Sequence, residues 1–432
     1  MKIKSVAFYT LGCRVNQYET TALAELFIKN GYKVVDFSEK NDLYIINTCA
    51  VTAESERKSA QIIRRALKTG GCVAVVGCYS QLDNTLGGIE GVSFVGGSKD
   101  KTAILHAANS LLKDNKIHIV VDTDLNDYGY EHMDIGTEQT DIFSTCRAFV
   151  KIQDGCNGRC SYCIIPKTRG RVRSRPLDEI KAEVERLSAN GYREIVLTGI
   201  ETSAYDFAPL SELIRKVDKI KGIDRLRFGS LSPNSITDDF LAAARNSDCF
   251  MPHLHLSLQS GSDRILKLMR RPYNKNQMCT KIEKVYGTMP DTLISTDMIV
   301  GFPTETEDDF LQTMQIVDDY KLSHVHAFPF SSRPGTEAAL MEGKITIGEV
   351  KKRNERLIKH SSEIKNLVLE RKIGTKARVL IEAFSQNLAI GHTEDFLETK
   401  FVQNNTKKVG DIAEVDLVSH ENGVLLGKEL PT

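Results

Sequence analysis

Three cysteines stand within eight residues in Cys156-Asn-Gly-Arg-Cys160-Ser-Tyr-Cys163. A single wrapped loop can bring all three thiolates to one metal centre. Structural zinc sites take four ligands, and no fourth cysteine or histidine stands close by. Three thiolates on a cube of four irons leave one iron open to a further ligand. The spacing therefore favours an iron–sulfur cluster over zinc.

A second set is dispersed. Cys13 follows a strand pattern at Ser5–Thr10, Cys49 one at Leu43–Asn47, and Cys78 one at Val73–Val76. Helical patterns lie between them, and such alternation predicts a parallel sheet with helices on both faces. The strand C-termini of that sheet share one edge, where open α/β sheets bind ligands. Three distant cysteines thus converge as another three-thiolate set; the plainer alternative is three buried small hydrophobes. Cys72 begins the strand that Cys78 ends, Cys146 precedes a strand, and Cys249 and Cys279 are isolated. These four read as packing residues.

The elements that position these cysteines fall into an α/β plan. The chain has 432 residues, is 41% hydrophobic, and balances 57 Lys+Arg against 57 Asp+Glu. That excludes disorder, which needs low hydrophobicity and high net charge. It also argues against non-specific coating of nucleic acid, while leaving room for local basic patches. No apolar run reaches the length of a membrane span, and the N-terminus reads as a strand, not a signal peptide. The expectation is a cytoplasmic protein without membrane contact. Ten cysteines in such a chain point to metal or redox chemistry.

Residues 1–121 form the predicted parallel-sheet domain, with a further strand at Lys33–Phe37. Its first helix is expected to start at Asn16, with Glu19 completing a capping box and Gly31 as the stop. Residues 122–145, acidic and turn-rich, read as a linker. Residues 146–345 carry six strand patterns: Ala148–Gln153, Glu194–Thr198, Arg225–Gly229, His253–Leu258, Leu293–Val300 and His324–Phe330. Five are followed by helical patterns, which suggests a partial (β/α)6 barrel binding ligands at its strand C-termini. A connecting helix is predicted over 346–371, burying Val350, Leu357, Ile358, Ile364, Leu367 and Val368. Residues 372–432 have short strands and turn signals at Gly391, Asn404–Asn405, Gly410 and Asn422–Gly423, as in a small β-barrel.

The C-x3-C-x2-C loop after the first strand of a partial barrel resembles the radical S-adenosylmethionine (SAM) superfamily. The resemblance implies that the open iron chelates SAM, and that one electron splits it to a 5′-deoxyadenosyl radical. It places Tyr162 beside the adenine, Gly199 and Glu201 at the SAM amine, and Ser230, Gln259 and Gly301 along the cavity. Over nearly its whole length the chain resembles the methylthiotransferases, which join a three-cysteine domain, a radical-SAM barrel and an RNA-binding TRAM barrel. That family implies two 4Fe–4S clusters, one on Cys13, Cys49 and Cys78 and one on Cys156, Cys160 and Cys163. It implies SAM as methyl donor and radical source, a sulfur donor, a reductant, and exchange of a C–H bond for C–SCH3. Cys13-Arg-Val-Asn-Gln-Tyr-Glu-Thr and Ile164–Ser174 resemble the branch acting on threonylcarbamoyladenosine in the tRNA anticodon loop. Other branches act on isopentenyladenosine or on a ribosomal-protein aspartate. A reading of another class is a non-catalytic iron–sulfur RNA-binding protein or redox sensor.

From Arg159 to Arg175 the chain holds Arg159, Lys167, Arg169, Arg171, Arg173 and Arg175 and no acidic residue. Alternate spacing from Arg169 to Arg175 predicts one cationic face beside the cluster loop, suited to phosphate contacts that position a substrate. Arg333, after the sixth strand, is expected to hold a carboxylate by forked hydrogen bonds. The tail is not basic; Lys376, Arg378, Lys407 and Lys408 are its candidates for a patch.

Overall fold

The computed structural model describes residues 4–83, 86, 88–114, 118–122, 124–125, 129–137, 146–402 and 407–431. β1 (Ser5–Thr10), β2 (Lys33–Val34), β3 (Leu43–Thr48), β4 (Cys72–Gly77), β5 (Val92–Gly96) and β6 (His118–Val120) make one parallel sheet, ordered β2-β1-β3-β4-β5-β6. Strands covered on both faces read as continuous apolar runs, and every residue of β3 is buried. One face (Phe8, Ile45, Val76) packs on Leu23 and Phe27 of α1 (Arg14–Lys29). The other (Ala7, Ile46, Val75) packs on Ile63 and Ala66 of α2 (Ala53–Leu67). The short α3 (Cys78–Leu82) follows β4, and α4 (Ala103–Asp114) adds Ile104 and Ala108 to the α1 side.

Three expectations are corrected here. β2 is cut to two residues, because the Asp36 carboxylate turns the chain by accepting from Ser38 N–H at 2.8 Å. β5 and β6 were not anticipated; they are short, and β6 is mostly exposed. Helix α1 starts at Arg14, with Cys13 at the N-cap position. Glu19 does not cap it. That carboxylate is fully buried, 2.9 Å from Lys101 and 3.0 Å from Lys151.

The middle segment contains the six expected parallel strands: β7 (Arg147–Asp154), then, past the two-residue β8 (Arg173–Ser174), β9 (Glu194–Gly199), β10 (Arg225–Phe228), β11 (His253–Gln259), β12 (Leu293–Val300) and β13 (His324–Pro329). They form two sheets, β10-β9-β7-β8 and β11-β12-β13, joined by bridges Leu226↔Phe250 and Leu231↔Leu256. The free edges of this incomplete barrel are thus the β7–β8 side and β13. Side chains alternate along a strand. In β7, Ala148, Val150 and Ile152 pack outward with Ile180, Val184 and Leu187 of the helix Leu177–Ala189, so Arg147, Phe149, Lys151 and Gln153 face the other way.

The long helix Ile347–Lys372 buries Arg353, Leu357, Ser361, Ile364 and Val368, a stripe at helical spacing. Ile358 and Leu367 lie off that stripe and are half exposed, at 50% and 48%, against expectation. After it, β14 (Lys376–Ser385), β15 (Leu388–His392), β16 (Glu398–Val402), β17 (Ile412–Glu421) and β18 (Val424–Glu429) close a barrel in the order β14-β15-β16-β18-β17. The expected turn at Asn404–Asn405 lies outside the described residues. Phe396, between β15 and β16, stacks on His253 at 5.0 Å and lies under Arg147 and Arg227 at 5.3 and 5.0 Å. The tail thereby plugs the N-terminal mouth of the larger barrel, where Glu194 pairs with Arg147, Arg225 and Arg227.

Parts of the expected linker are engaged with their surroundings. Tyr130 donates to the Lys151 carbonyl at 2.7 Å, Asp134 pairs with Arg175 at 2.7 Å, and Glu25 accepts from the N–H groups of Gly136 and Thr137.

Candidate active site

Cys13, Cys49 and Cys78 follow β1, β3 and β4, three neighbouring strands. The sheet order reverses between β1 and β3, the switch point at which such sheets open a crevice for ligands. Gly12 (φ +96°) lets the first loop close on the second; a Cβ there would stand 2.7 Å from Cys49 Cβ. Asn16 holds the crevice, donating to the carbonyls of Leu11 at 2.8 Å and Thr48 at 3.0 Å. The thiols sense one another. Burial pushes Cys13 up to about 11, opposed chiefly by Arg169 and reinforced by Cys78 and Cys49.

The Cys156–Cys163 loop leaves β7 at Gly155 (φ +72°), where the Arg171 carbonyl leaves no room for a side chain. Cys156 N–H donates to the Gly170 carbonyl at 3.0 Å, and Ser161 N–H to that of Met269 at 3.1 Å. These bonds fold the loop over the C-terminal end of the barrel. Gly158 N–H reaches Cys156 Sγ at 3.2 Å, and Arg271 reaches Cys160 Sγ at 3.3 Å. Burial raises Cys163 to about 12; Cys160 and Cys156 add to the rise and Arg271 opposes it. Burial likewise raises the Cys156 thiol, and the Gly158 N–H opposes that rise. Among the described residues, neither set has a fourth cysteine or a histidine beside it in the network of thiol contacts and charges. The donor chemistry therefore fits two groups that each take three thiolates.

The helix α5 (Ile165–Arg169) starts two residues after Cys163 and ends at the other set. Arg169 is fully buried and donates to Cys78 Sγ at 3.2 Å, to Asn16 Oδ1 at 2.6 Å, and to Glu19 at 2.6 and 3.0 Å. It also lies 3.2 Å from Asp154. The short helix that follows one cysteine set thus ends in a side chain bonded to the other.

That geometry overturns the expectation of a cationic strip for phosphate. Arg169 and Arg175 are buried, the latter paired with Glu183 and Asp134. Arg173 turns back to the carbonyls of Arg169 and Arg171, both at 2.9 Å. Only Arg171 of the four is exposed. Arg333 is likewise buried and pairs with Glu56 of α2, so its guanidinium is already engaged by a carboxylate of this chain. Unpaired, these cations would be costly to bury; the acidic partners sit far away in sequence, where spacing alone does not reveal them.

The remaining expected contacts scatter. Gly199 lies against Gln153, whose amide oxygen accepts Glu201 N–H at 2.9 Å and whose amide nitrogen donates to the Gly155 carbonyl at 2.6 Å. Glu201 is close enough for its charge to raise the Cys156 thiol, after burial. Ser230 is exposed just past β10, and Gln259 ends β11 in the left-handed region. The Gly301 N–H bonds Glu305 at 2.8 Å, and the Gly301 Cα faces Val350 of the long helix. Phe302, the next residue, is edge-on to Tyr162 with ring centroids 6.5 Å apart. Sequence reasoning missed Arg271 and Gln153, which reach the loop from a distant turn and from inside a strand; neither carries a spacing signal.

Residues 150–317 match the radical SAM superfamily, and residues 5–90 match the uncharacterized protein family UPF0004. The fold is similar to that of the radical S-adenosylmethionine methyltransferase TsrM from Kitasatospora setae, with a TM-score of 0.56 and 14% identity over 90% of this chain and 81% of that one. The chain is a radical SAM enzyme, a class that binds SAM and a 4Fe–4S cluster. It is 35% identical to the threonylcarbamoyladenosine tRNA methylthiotransferase MtaB of Bacillus subtilis, over 96% of this chain and 94% of the relative. It is 34% identical to MtaB of Aquifex aeolicus, over 95% and 99%, and 32% identical to a tRNA-2-methylthio-N(6)-dimethylallyladenosine synthase of Thermotoga petrophila, over 97% and 95%. It belongs to the tRNA methylthiotransferase family of radical SAM enzymes. No helix among the described residues is long and apolar enough to cross a membrane.

Proposed function

We propose that this enzyme replaces the C2 hydrogen of N6-threonylcarbamoyladenosine in a tRNA anticodon loop with a methylthio group. The observation that carries the reading is the pair of three-thiol sets connected by the helix α5, whose last residue, Arg169, bonds Cys78. Cys156, Cys160 and Cys163 would hold the cluster that binds SAM, and Cys13, Cys49 and Cys78 a second 4Fe–4S cluster where sulfur is delivered. A cluster on three thiolates supplies an open iron and an electron, the chemistry that cleaves SAM homolytically. The residues of the chain do the rest. Gly158 and Arg271 stabilise thiolates, Tyr162 and Phe302 flank an aromatic ligand, and Gln153 fixes Glu201 at the loop's edge, facing where a SAM ammonium would lie. Phe396 and its charged surroundings exclude water from below. A sulfur source and a reductant complete the reaction. The target adenine must leave its stack to enter the barrel, as with other base-modifying enzymes.

Nucleoside mass spectrometry of tRNA from cells with and without this chain tests the reading. Methylthio-threonylcarbamoyladenosine is expected to vanish from the cells that lack it. Loss of methylthio-isopentenyladenosine instead would move the chain to the sister branch.

The second cluster has its own test within one strand. Cys72 and Cys78 lie at opposite ends of β4, and Cys72 Sγ faces the Leu111 carbonyl at 3.3 Å. Cys78→Ala is expected to lose about half the bound iron, whereas Cys72→Ala keeps it all. Equal iron in the two folded variants would contradict the placement.

A further inference from the structure

Arg14 is the first residue of α1, beside Cys13. Its guanidinium lies over the Phe149 ring, 5.6 Å from the centroid. Phe149 shares the inner face of β7 with Arg147, and the charges acting on Arg14 are Arg147, Glu194 and Asp297, from β7, β9 and β12. A side chain of the N-terminal sheet domain therefore enters the open side of the barrel, between the β7–β8 edge and β13.

The other cations around this chamber are engaged. Arg169 and Lys151 pair with Glu19 and Asp154, Arg175 with Glu183, and Arg333 with Glu56. Arg147 and Arg227 pair with Glu194, and Arg271 is held by Tyr273 at 2.9 Å and by Cys160. Among the described residues, Arg14 has neither an ion pair nor a hydrogen bond, although it is only partly exposed. A guanidinium sheltered from water without an anion is costly, and its planar fork matches a carboxylate.

Facing it across the chamber are His255, Asp297 and His326, whose ligand atoms lie within 4.8 Å of one another. His255 is fixed by Ser295 at 2.9 Å and by Asp297 at 3.1 Å, so the Asp297 charge already has a partner. The His326 ring centroid lies 5.6 Å from that of His255; the residue is exposed, and Asp297 and Arg14 are among the charges acting on it. The positive field of Arg14 makes this space one for an anion with polar neighbours rather than for a metal cation.

We infer that Arg14 seats the carboxylate of the threonylcarbamoyl group, with His326 contacting the polar arm beside it. The inference rests on threonylcarbamoyladenosine being the substrate. An isopentenyl arm would leave Arg14 without an anion, and sites built for a polar partner reject analogues that lack it. Arg14 follows Cys13 directly, so a base anchored through this arm lies next to the set proposed to deliver sulfur.

The test uses the reconstituted two-cluster enzyme and two anticodon stem–loops, one bearing threonylcarbamoyladenosine and one its carboxamide. Wild type is expected to favour the acid in kcat/KM by roughly 10- to 100-fold, the range of a charge-assisted hydrogen bond. In Arg14→Gln the preference should collapse to near unity, mainly through KM, while Arg14→Lys keeps part of it. Iron per chain reports whether the variants fold; if Arg14→Gln loses iron, the wild-type and Arg14→Lys comparisons still decide. Equal use of acid and carboxamide by wild type, or an undiminished preference in Arg14→Gln, overturns the inference and leaves the substrate reading standing. Turnover of an isopentenyl stem–loop and of neither threonylcarbamoyl one overturns the substrate reading itself.

Discussion

With Cys156, Cys160 and Cys163 all replaced by Ala, release of 5′-deoxyadenosine from SAM is expected to fall to background. Bound iron should drop from about eight to about four atoms per chain if, as proposed, each set holds its own four-iron cluster. The loop of the three cysteines is anchored to Gly170, Met269 and Val172, through backbone or side-chain bonds that use none of the three thiols. Its removal as a ligand set therefore leaves the loop's fold intact. Cys13, Cys49 and Cys78 sit on a different sheet, positioned by the ends of β1, β3 and β4. The measurement is iron and sulfide per chain with product chromatography of SAM under reducing conditions. SAM cleavage that survives in the triple variant would mean that the radical chemistry belongs to the other set.

The order of strands and helices was legible because each element carries its own period. β3 and β4 are unbroken apolar runs bounded by polar turns, and the barrel strands recur with helices between them. The cysteines were legible for a related reason. Each of Cys13, Cys49 and Cys78 ends an element whose direction the alternation defines, so their convergence needs no side-chain detail. What stayed hidden is pairing across distance. Six basic residues near the cluster loop look like a solvated strip until Glu19, Asp154 and Glu183 are found against Arg169 and Arg175. The same holds for Arg333 with Glu56. Arg14 is the converse: one charge among 57 basic residues, distinguished only by lying over the Phe149 ring, while the nearest chamber carboxylate, Asp297, is paired with His255. β6 and the shortened β2 were obscure because two or three residues carry no period to read.

Arg169→Met is expected to destabilise the protein by about 3–5 kcal/mol, the cost of breaking a buried ion pair from one side. Glu19 and Asp154 would keep Lys101 and Lys151, which places the effect toward the lower end. Methionine fills much of the volume but restores none of the bonds to Asn16, Glu19 and Cys78. The pH dependence has a definite sign. Although burial opposes it, Lys151 and then Arg169 hold the Asp154 carboxyl at about 2 in the folded chain. A carboxyl depressed on folding stabilises fully above its unfolded pKa, near 4, and loses that contribution as pH falls toward 2. The gap in stability between wild type and Arg169→Met should therefore be widest at neutral pH and narrow below pH 4. Arg169→Lys separates charge from shape. It keeps a cation among the carboxylates, but one ammonium cannot span Glu19, Asn16 and Cys78 as the fork does. Its melting temperature should stand between those of wild type and Arg169→Met, while iron on the N-terminal set falls in both variants and iron on the barrel set stays. Full iron occupancy in Arg169→Met would show that the Cys78 contact does not support the N-terminal ligand set. A melting temperature unchanged at pH 7 would show that the two lysines alone balance Glu19 and Asp154.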